Sequence, residues 1–226
     1  MRIGGIQKSS LLDFPNMISA IVFTKSCNFA CGYCHNPELF SSGVEHSTSE
    51  FFDFLDTRKG KLDGIVITGG EPCLQPDLID FIRQIKLMGF LVKLDTNGSF
   101  PDVIQNLLDE NLLDYIAMDI KAPIEKYNKV TNSIISTDKI IASINLIMNS
   151  NIDYEFRTTV VKSQLNFEDF EKIGNLIKGA KKYYLQKFVP TKTLNPTFLE
   201  EQTYNDEDFK RIIDILTCKI SLVEVR

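Results

Sequence analysis

Short runs rich in β-branched and aromatic residues alternate with amphipathic helical stretches along most of the chain, which predicts an α/β fold. The expected form is an incomplete (β/α)6 barrel of parallel strands, in a single domain covering residues 1–226. Two further observations point the same way. Six strand–helix units fit this length, whereas a closed eight-unit barrel typically needs ~250 residues. The chemically unusual residues also fall just after strands or at their ends, the face where parallel α/β folds build their sites. An open doubly wound sheet is the alternative, and right-handed crossovers would serve both.

The first predicted strand is Ser19–Lys25 (SAIVFTK). Gly64–Thr68 (GIVIT), Leu91–Asp95 (LVKLD), Tyr115–Ile120 (YIAMDI), Tyr154–Val161 (YEFRTTVV) and Tyr183–Phe188 (YYLQKF) follow. Several are apolar on both faces, as expected of parallel strands covered by helices. Helical patterns lie between them. Pro76 opens one, with Leu78, Phe81, Ile82 and Ile85 as its buried stripe. Thr137 is the expected cap of another, carrying Ile140, Ile141, Ile144 and Met148. Asn166 caps a third, with Phe170, Ile173 and Ile177 on its core face and Gly179 as its stop. The last starts at Asn205, where Asp206, Glu207 and Asp208 suit the positive end of the helix dipole. Ser221–Val225 reads as a short closing strand.

The formal charge of -5 disfavours a general affinity for nucleic acid or an anionic membrane. No apolar run approaches the ~18 residues of a membrane span, and Met1-Arg-Ile-Gly-Gly is too polar for a signal peptide. The expected compartment is the cytoplasm, where thiols stay reduced. Five cysteines there are better explained as metal ligands or core residues than as disulfides.

Cys27-Asn-Phe-Ala-Cys31-Gly-Tyr-Cys34-His35 concentrates three of them. Three thiolates so close together can converge on one metal centre. Cubic iron–sulfur clusters normally take four, so three ligands would leave one iron open, and an open position marks catalytic metal sites. Three rivals exist. Cys31-Gly-Tyr-Cys34-His35 has the form of a c-type haem attachment site, a chemistry of exported proteins. Zinc could take the cysteines with His35, but those ligands are crowded and no distant pair completes them. A redox dithiol at Cys31 and Cys34 would leave Cys27 unexplained. Cys73 and Cys218 read as small packed residues, and His46 as a surface residue.

The Cys-x3-Cys-x2-Cys pattern after the first strand, joined by Gly69-Gly-Glu-Pro72 after the second, resembles the signature of the radical S-adenosylmethionine superfamily. Ser9-Ser-Leu-Leu-Asp-Phe-Pro, Cys34-His-Asn-Pro-Glu-Leu, Asp95-Thr-Asn-Gly98, Met118-Asp-Ile-Lys121 and Phe156-Arg-Thr-Thr159 are similar to one subfamily. It is the anaerobic ribonucleoside-triphosphate reductase activating proteins, kin to the activases of glycyl radical enzymes. The resemblance implies a 4Fe–4S cluster on Cys27, Cys31 and Cys34, with S-adenosylmethionine on the fourth iron. It implies reductive cleavage of that cofactor to methionine and a 5′-deoxyadenosyl radical. It also implies a glycyl radical enzyme as partner, foremost anaerobic ribonucleotide reductase, and a flavodoxin or ferredoxin-type electron donor. A radical enzyme acting on a small molecule, a peptide or RNA shares the same core motifs.

Each candidate residue has a plainer reading beside the functional one. Gly69 and Gly70 allow close approach of backbone to a ligand, or simply a strand-end turn. In the resembled family this segment meets the methionine amino group, partly through Glu71 or backbone carbonyls. Asp95, Thr96 and Asn97 could form only a turn with Gly98, or contact the methionine or adenosine portion. Asp119 and Lys121 read either as a structural salt bridge or as a pair beside the cofactor. Arg157 sits mid-strand, where an unpaired buried charge is costly, and is expected to contact the cofactor's ribose or carboxylate. Tyr33 is expected to pack against the adenine ring. His35, Asn36, Gln186 and Pro190 are weaker candidates.

Overall fold

The computed structural model describes residues 1–41, 43 and 45–226. Eight strands form one sheet in sequential order: β1 (Ile3–Ser10), β2 (Ser19–Thr24), β3 (Gly64–Gly69), β4 (Leu91–Thr96), β5 (Tyr115–Asp119), β6 (Asp153–Val160), β7 (Lys182–Lys187) and β8 (Leu222–Val225). All neighbours from β2 to β8 pair in parallel, and β1 runs antiparallel to β2. Among the described residues β1 and β8 do not pair, so the sheet stays open between them. The sequential order is that of a barrel and excludes the doubly wound alternative, whose strand order reverses at a switch point.

The helices are α1 (Thr48–Asp56), α2 (Leu78–Leu87), α3 (Pro101–Asp109), α4 (Tyr127–Thr131), α5 (Thr137–Met148), α6 (Phe167–Leu176) and α7 (Asp206–Thr217). Their starts follow local chemistry. Ser47 and Glu50 form a reciprocal capping box at α1, and Asn166 and Asp169 another at α6. Asn205 accepts from the Asp208 amide at α7, and Pro101 occupies the first turn of α3. The cap of α5 is Ser136; Thr137 already lies within the helix.

The side chains alternate across the sheet with period two. Val22, Ile67, Leu94, Met118, Phe156 and Leu185 face the helices and join Phe51, Ile82, Ile104, Ile144, Phe170 and Ile212 in the main core. The opposite face is different in kind. Near the strand starts it carries a small apolar cluster of Phe14, Ile21, Val66 and Tyr115. Toward the strand ends it carries Asp95, Asp119, Arg157 and Gln186, which line a cavity. Strands that read as apolar on both faces are thus helix-covered on one face only. Cys218, expected in the core, is exposed at the end of α7. Cys73 is buried as expected, and His46 is exposed, its backbone bridged to Ile3.

Candidate active site

A cavity of about 280 Å³ opens at the carboxyl ends of the parallel strands. Cys27, Cys31, Tyr33 and Cys34 enter it from the loop after β2, and Gly69 and Gly70 from the end of β3. Asp95, Thr96 and Asn97 come from the end of β4, Asp119 and Lys121 from the end of β5, and Arg157 from β6. Of the cofactor and cluster candidates, all but Glu71 line this one space. His35, Asn36 and Gln186 line it as well; Pro190 does not. Sequence reasoning missed Phe29, Phe40, Thr68 and Thr159 as wall residues. Thr159 was accessible in principle, because a residue two positions beyond Arg157 on a strand shares its face.

The cysteine loop is held from two sides. From the chain after β7, the Leu194 and Asn195 amides donate to the Cys34 and Gly32 carbonyls, both at 3.0 Å. The Phe198 ring fills the space over Gly32, where an added Cβ would stand 2.2 Å from Cε2. His35 donates from Nδ1 to the Lys192 carbonyl at 2.9 Å and stacks on Phe188. On the other side, the Gly70 amide donates to the Thr24 carbonyl at 2.8 Å and the Glu71 amide to the Ser26 carbonyl at 2.9 Å. An added Cβ at Gly70 would stand 1.9 Å from the Ser26 carbonyl oxygen, and Gly69 holds φ at +113°. The glycine pair is thus required by close backbone contact with the cysteine loop and by conformation.

Glu71 points away from the cavity. It is fully buried, and its carboxylate accepts from the Cys73 amide (2.9 Å), the Thr96 hydroxyl (2.8 Å) and the Asn97 amide (2.7 Å). It ties the β3 loop to the end of β4 instead of facing a ligand, as the sequence reading had it. Burial pushes its carboxyl up, against the pull of those donors.

Four charged groups form a chain across the cavity floor. Strand register sets Asp119 opposite Arg157, and the Arg157 Nε donates to Asp119 at 2.9 Å. One terminal nitrogen of Arg157 reaches Asp95 at 3.0 Å, and Lys121 bonds Asp119 at 2.8 Å. Lys93, buried below, pairs with Asp95 from the other side. Burial opposes both carboxylate charges, but Arg157 with Lys93 holds Asp95 below the usual carboxyl range, and Arg157 with Lys121 does so for Asp119. Lys121 also stands over the Tyr33 ring, 5.9 Å from its centroid. Both signs of charge therefore face a ligand here, as a zwitterion requires.

Cys27 and Cys31 sit in a setting that resists ionisation without a metal. Burial, then the Glu71 charge, pushes Cys27 up to about 12, and burial also raises Cys31. No three His, Cys, Asp or Glu side chains among the described residues converge on a single metal ion. That geometry suits one-ion zinc ligation poorly. A cubic cluster asks for something else, since each thiolate takes a separate iron. The Tyr33 hydroxyl is buried without a formed hydrogen bond. A buried polar atom of this kind calls for a partner that the protein does not supply. The donor set, the shared cavity and that hydroxyl fit an iron–sulfur cluster with a cofactor beside it.

Residues 21–177 match the family described as the Radical SAM superfamily. A relative in Methanocaldococcus jannaschii, provisionally named a glycyl-radical enzyme activating enzyme, is 36% identical over 219 residues, covering 93% of this chain and 85% of that one. The pyruvate formate-lyase-activating enzyme of Clostridium pasteurianum is 27% identical over 202 residues, covering 85% of this chain and 83% of that one. Among solved structures, Streptococcus suis SuiB bound to its precursor peptide SuiA superposes with a TM-score of 0.71 at 12% identity, a likeness of fold. The match covers 91% of this chain and 48% of SuiB, so this chain spans about half of SuiB's length.

Proposed function

The chain belongs to the radical SAM superfamily, and from that premise we propose that it is an activase, installing a glycyl radical on a partner enzyme. Members of the superfamily work with a 4Fe–4S cluster and S-adenosylmethionine. When bound, these supply one-electron cleavage of a carbon–sulfur bond, giving methionine and a 5′-deoxyadenosyl radical.

The remaining work belongs to the chain's own residues. Cys27, Cys31 and Cys34 bind three irons as thiolates. Their burial keeps Cys27 and Cys31 protonated when free, so cluster assembly releases protons. Gly69 and Gly70 present backbone to the methionine end of the cofactor, and Glu71 holds that loop against β4. Lys121 and Arg157 offer donors to its carboxylate. Asp95, Asp119 and Thr96 offer partners to its ammonium group and ribose hydroxyls, and Tyr33 packs against its adenine. The whole of 1–226 acts as one radical S-adenosylmethionine domain.

The observation carrying this reading is that the three cysteines, the glycine pair and the charge chain open onto one cavity. The relatives named as activating enzymes, matched over most of both chains, favour a glycyl radical enzyme as target. The open side of the sheet between β1 and β8 suits entry of a protein loop. The proposed target is anaerobic ribonucleoside-triphosphate reductase, with electrons from a flavodoxin or ferredoxin-type donor in the reducing cytoplasm.

The test is anaerobic electron paramagnetic resonance of reduced, reconstituted protein mixed with S-adenosylmethionine and that reductase. A glycyl doublet dependent on all three components is expected. Formation of 5′-deoxyadenosine without a doublet on this or other glycyl radical enzymes would contradict the activase reading. The search would then turn to a small molecule, a peptide or RNA.

A further inference from the structure

Among the described residues, the cysteine sulfurs differ in what donates to them. Cys27 Sγ accepts from the Phe29 amide at 3.4 Å and faces Asn97 Nδ2 at 3.8 Å. Cys31 and Cys34 Sγ receive no formed hydrogen bond among these residues.

The orientation of Asn97 is fixed by its neighbours. The Ser99 amide donates to Asn97 Oδ1 at 3.0 Å, and the Ser99 hydroxyl donates to the same oxygen at 2.6 Å. A backbone N–H can only donate, so the atom it meets is the oxygen and the amino group must lie on the other side. There Nδ2 donates to Asn28 Oδ1 at 2.9 Å, and its second hydrogen is left for Cys27. Asn28 Nδ2 closes the ring by donating to the Ser99 hydroxyl at 2.9 Å. Asn97 is 5% exposed and Ser99 3%, so water does not compete strongly for these bonds. Asn97 was expected to contact the methionine or adenosine portion of the cofactor; this network aims its amino group at a cysteine.

We propose that Asn97 donates a hydrogen bond to the Cys27 ligand sulfur and raises the reduction potential of the cluster, with Ser99 and Asn28 as the positioning residues that aim its amide. This rests on the reading of Cys27 as a cluster ligand. An added electron makes the ligand sulfurs more electron-rich, so an N–H donor favours the reduced state. Removing the donor therefore lowers the potential. Asn97 touches the cluster's ligand, while Ser99 acts only through Asn97.

The test uses the full chain reconstituted anaerobically, with iron and sulfide content measured first and the midpoint potential then followed by electron paramagnetic resonance. Asn97→Leu removes the donor at similar size, and Ser99→Ala keeps the amide but loosens its aim. Both are expected to carry a full cluster with a midpoint shifted to more negative potential, the larger shift in Asn97→Leu. A cluster-loaded Asn97→Leu with the wild-type midpoint would overturn the proposal. If that variant does not assemble its cluster, the wild type carrying side-chain 15N-asparagine decides by pulsed resonance. A 15N coupling on the reduced cluster is expected, and its absence would overturn the proposal. A wild-type chain that binds no four-iron cluster would instead sink the ligand reading underneath.

Discussion

Arg157 shows how a residue in the middle of a strand becomes part of a site. Its guanidinium is almost buried, and it is kept charged by Asp95 and Asp119, which it holds in place in return. Removing one partner leaves the others as incompletely compensated charges. Asp119→Asn is expected to cost about 3 kcal/mol at neutral pH, the low end for a buried pair because the Asp119 side chain keeps 26% exposure. The pH dependence follows from the depressed folded-state carboxyl. Its contribution is complete above the unfolded value near pH ~4 and is lost as pH falls from there toward the lower folded value. Thermal melts should therefore show the gap between wild type and Asp119→Asn at full width near pH 7 and narrowing below about pH 4. A gap independent of pH would contradict the assignment. Much of this site was legible in advance, because charged residues at the ends of consecutive parallel strands must share one face. Of the two contacts expected at the glycine motif, the Glu71 side chain or backbone carbonyls, the side chain turns elsewhere, since its direction depends on three donors, two of them backbone amides, that no sequence pattern displays.

At the scale of elements, the cysteine loop depends on a segment far away in sequence. The chain after β7 grips it through the Leu194 and Asn195 amides and through Phe198 packed on Gly32. Gly32→Ala should force the Phe198 ring aside, at an overpacking cost of about 1–3 kcal/mol, and lower the iron bound per chain. In a Phe198→Ala background the same substitution should be nearly neutral, because the clash is gone. Equal penalties in both backgrounds, read by denaturant unfolding, would show that Gly32 is needed for another reason. The parallel strands and the capped helices α6 and α7 followed from periodicity and cap residues. Strand β1 did not, since Gly4, Gly5 and its exposed polar residues carry no alternating apolar signal and its pairing with β2 is a tertiary choice. The grip on the cysteine loop was equally hidden, being made largely of backbone hydrogen bonds.

For the whole molecule, the sequential sheet sends every parallel strand toward one rim, so that short polar motifs scattered from residue 27 to residue 157 meet in one cavity. Among the described residues the sheet remains open between β1 and β8. Among the described residues, no helix is long and apolar enough to cross a membrane. The sequence order of the motifs anticipated their convergence, while the closed core on one sheet face and the charged lining on the other required the folded chain. Reductive cleavage of S-adenosylmethionine in the cysteine cavity is tested by product analysis. Reconstituted wild type and Cys31→Ala would each be incubated anaerobically with a strong reductant and S-adenosylmethionine, and 5′-deoxyadenosine and methionine quantified. Equal amounts of the two products are expected from the wild type and none above background from Cys31→Ala. Cleavage retained in Cys31→Ala, or absent from a wild type carrying its full iron and sulfide, would contradict this reading of the cavity.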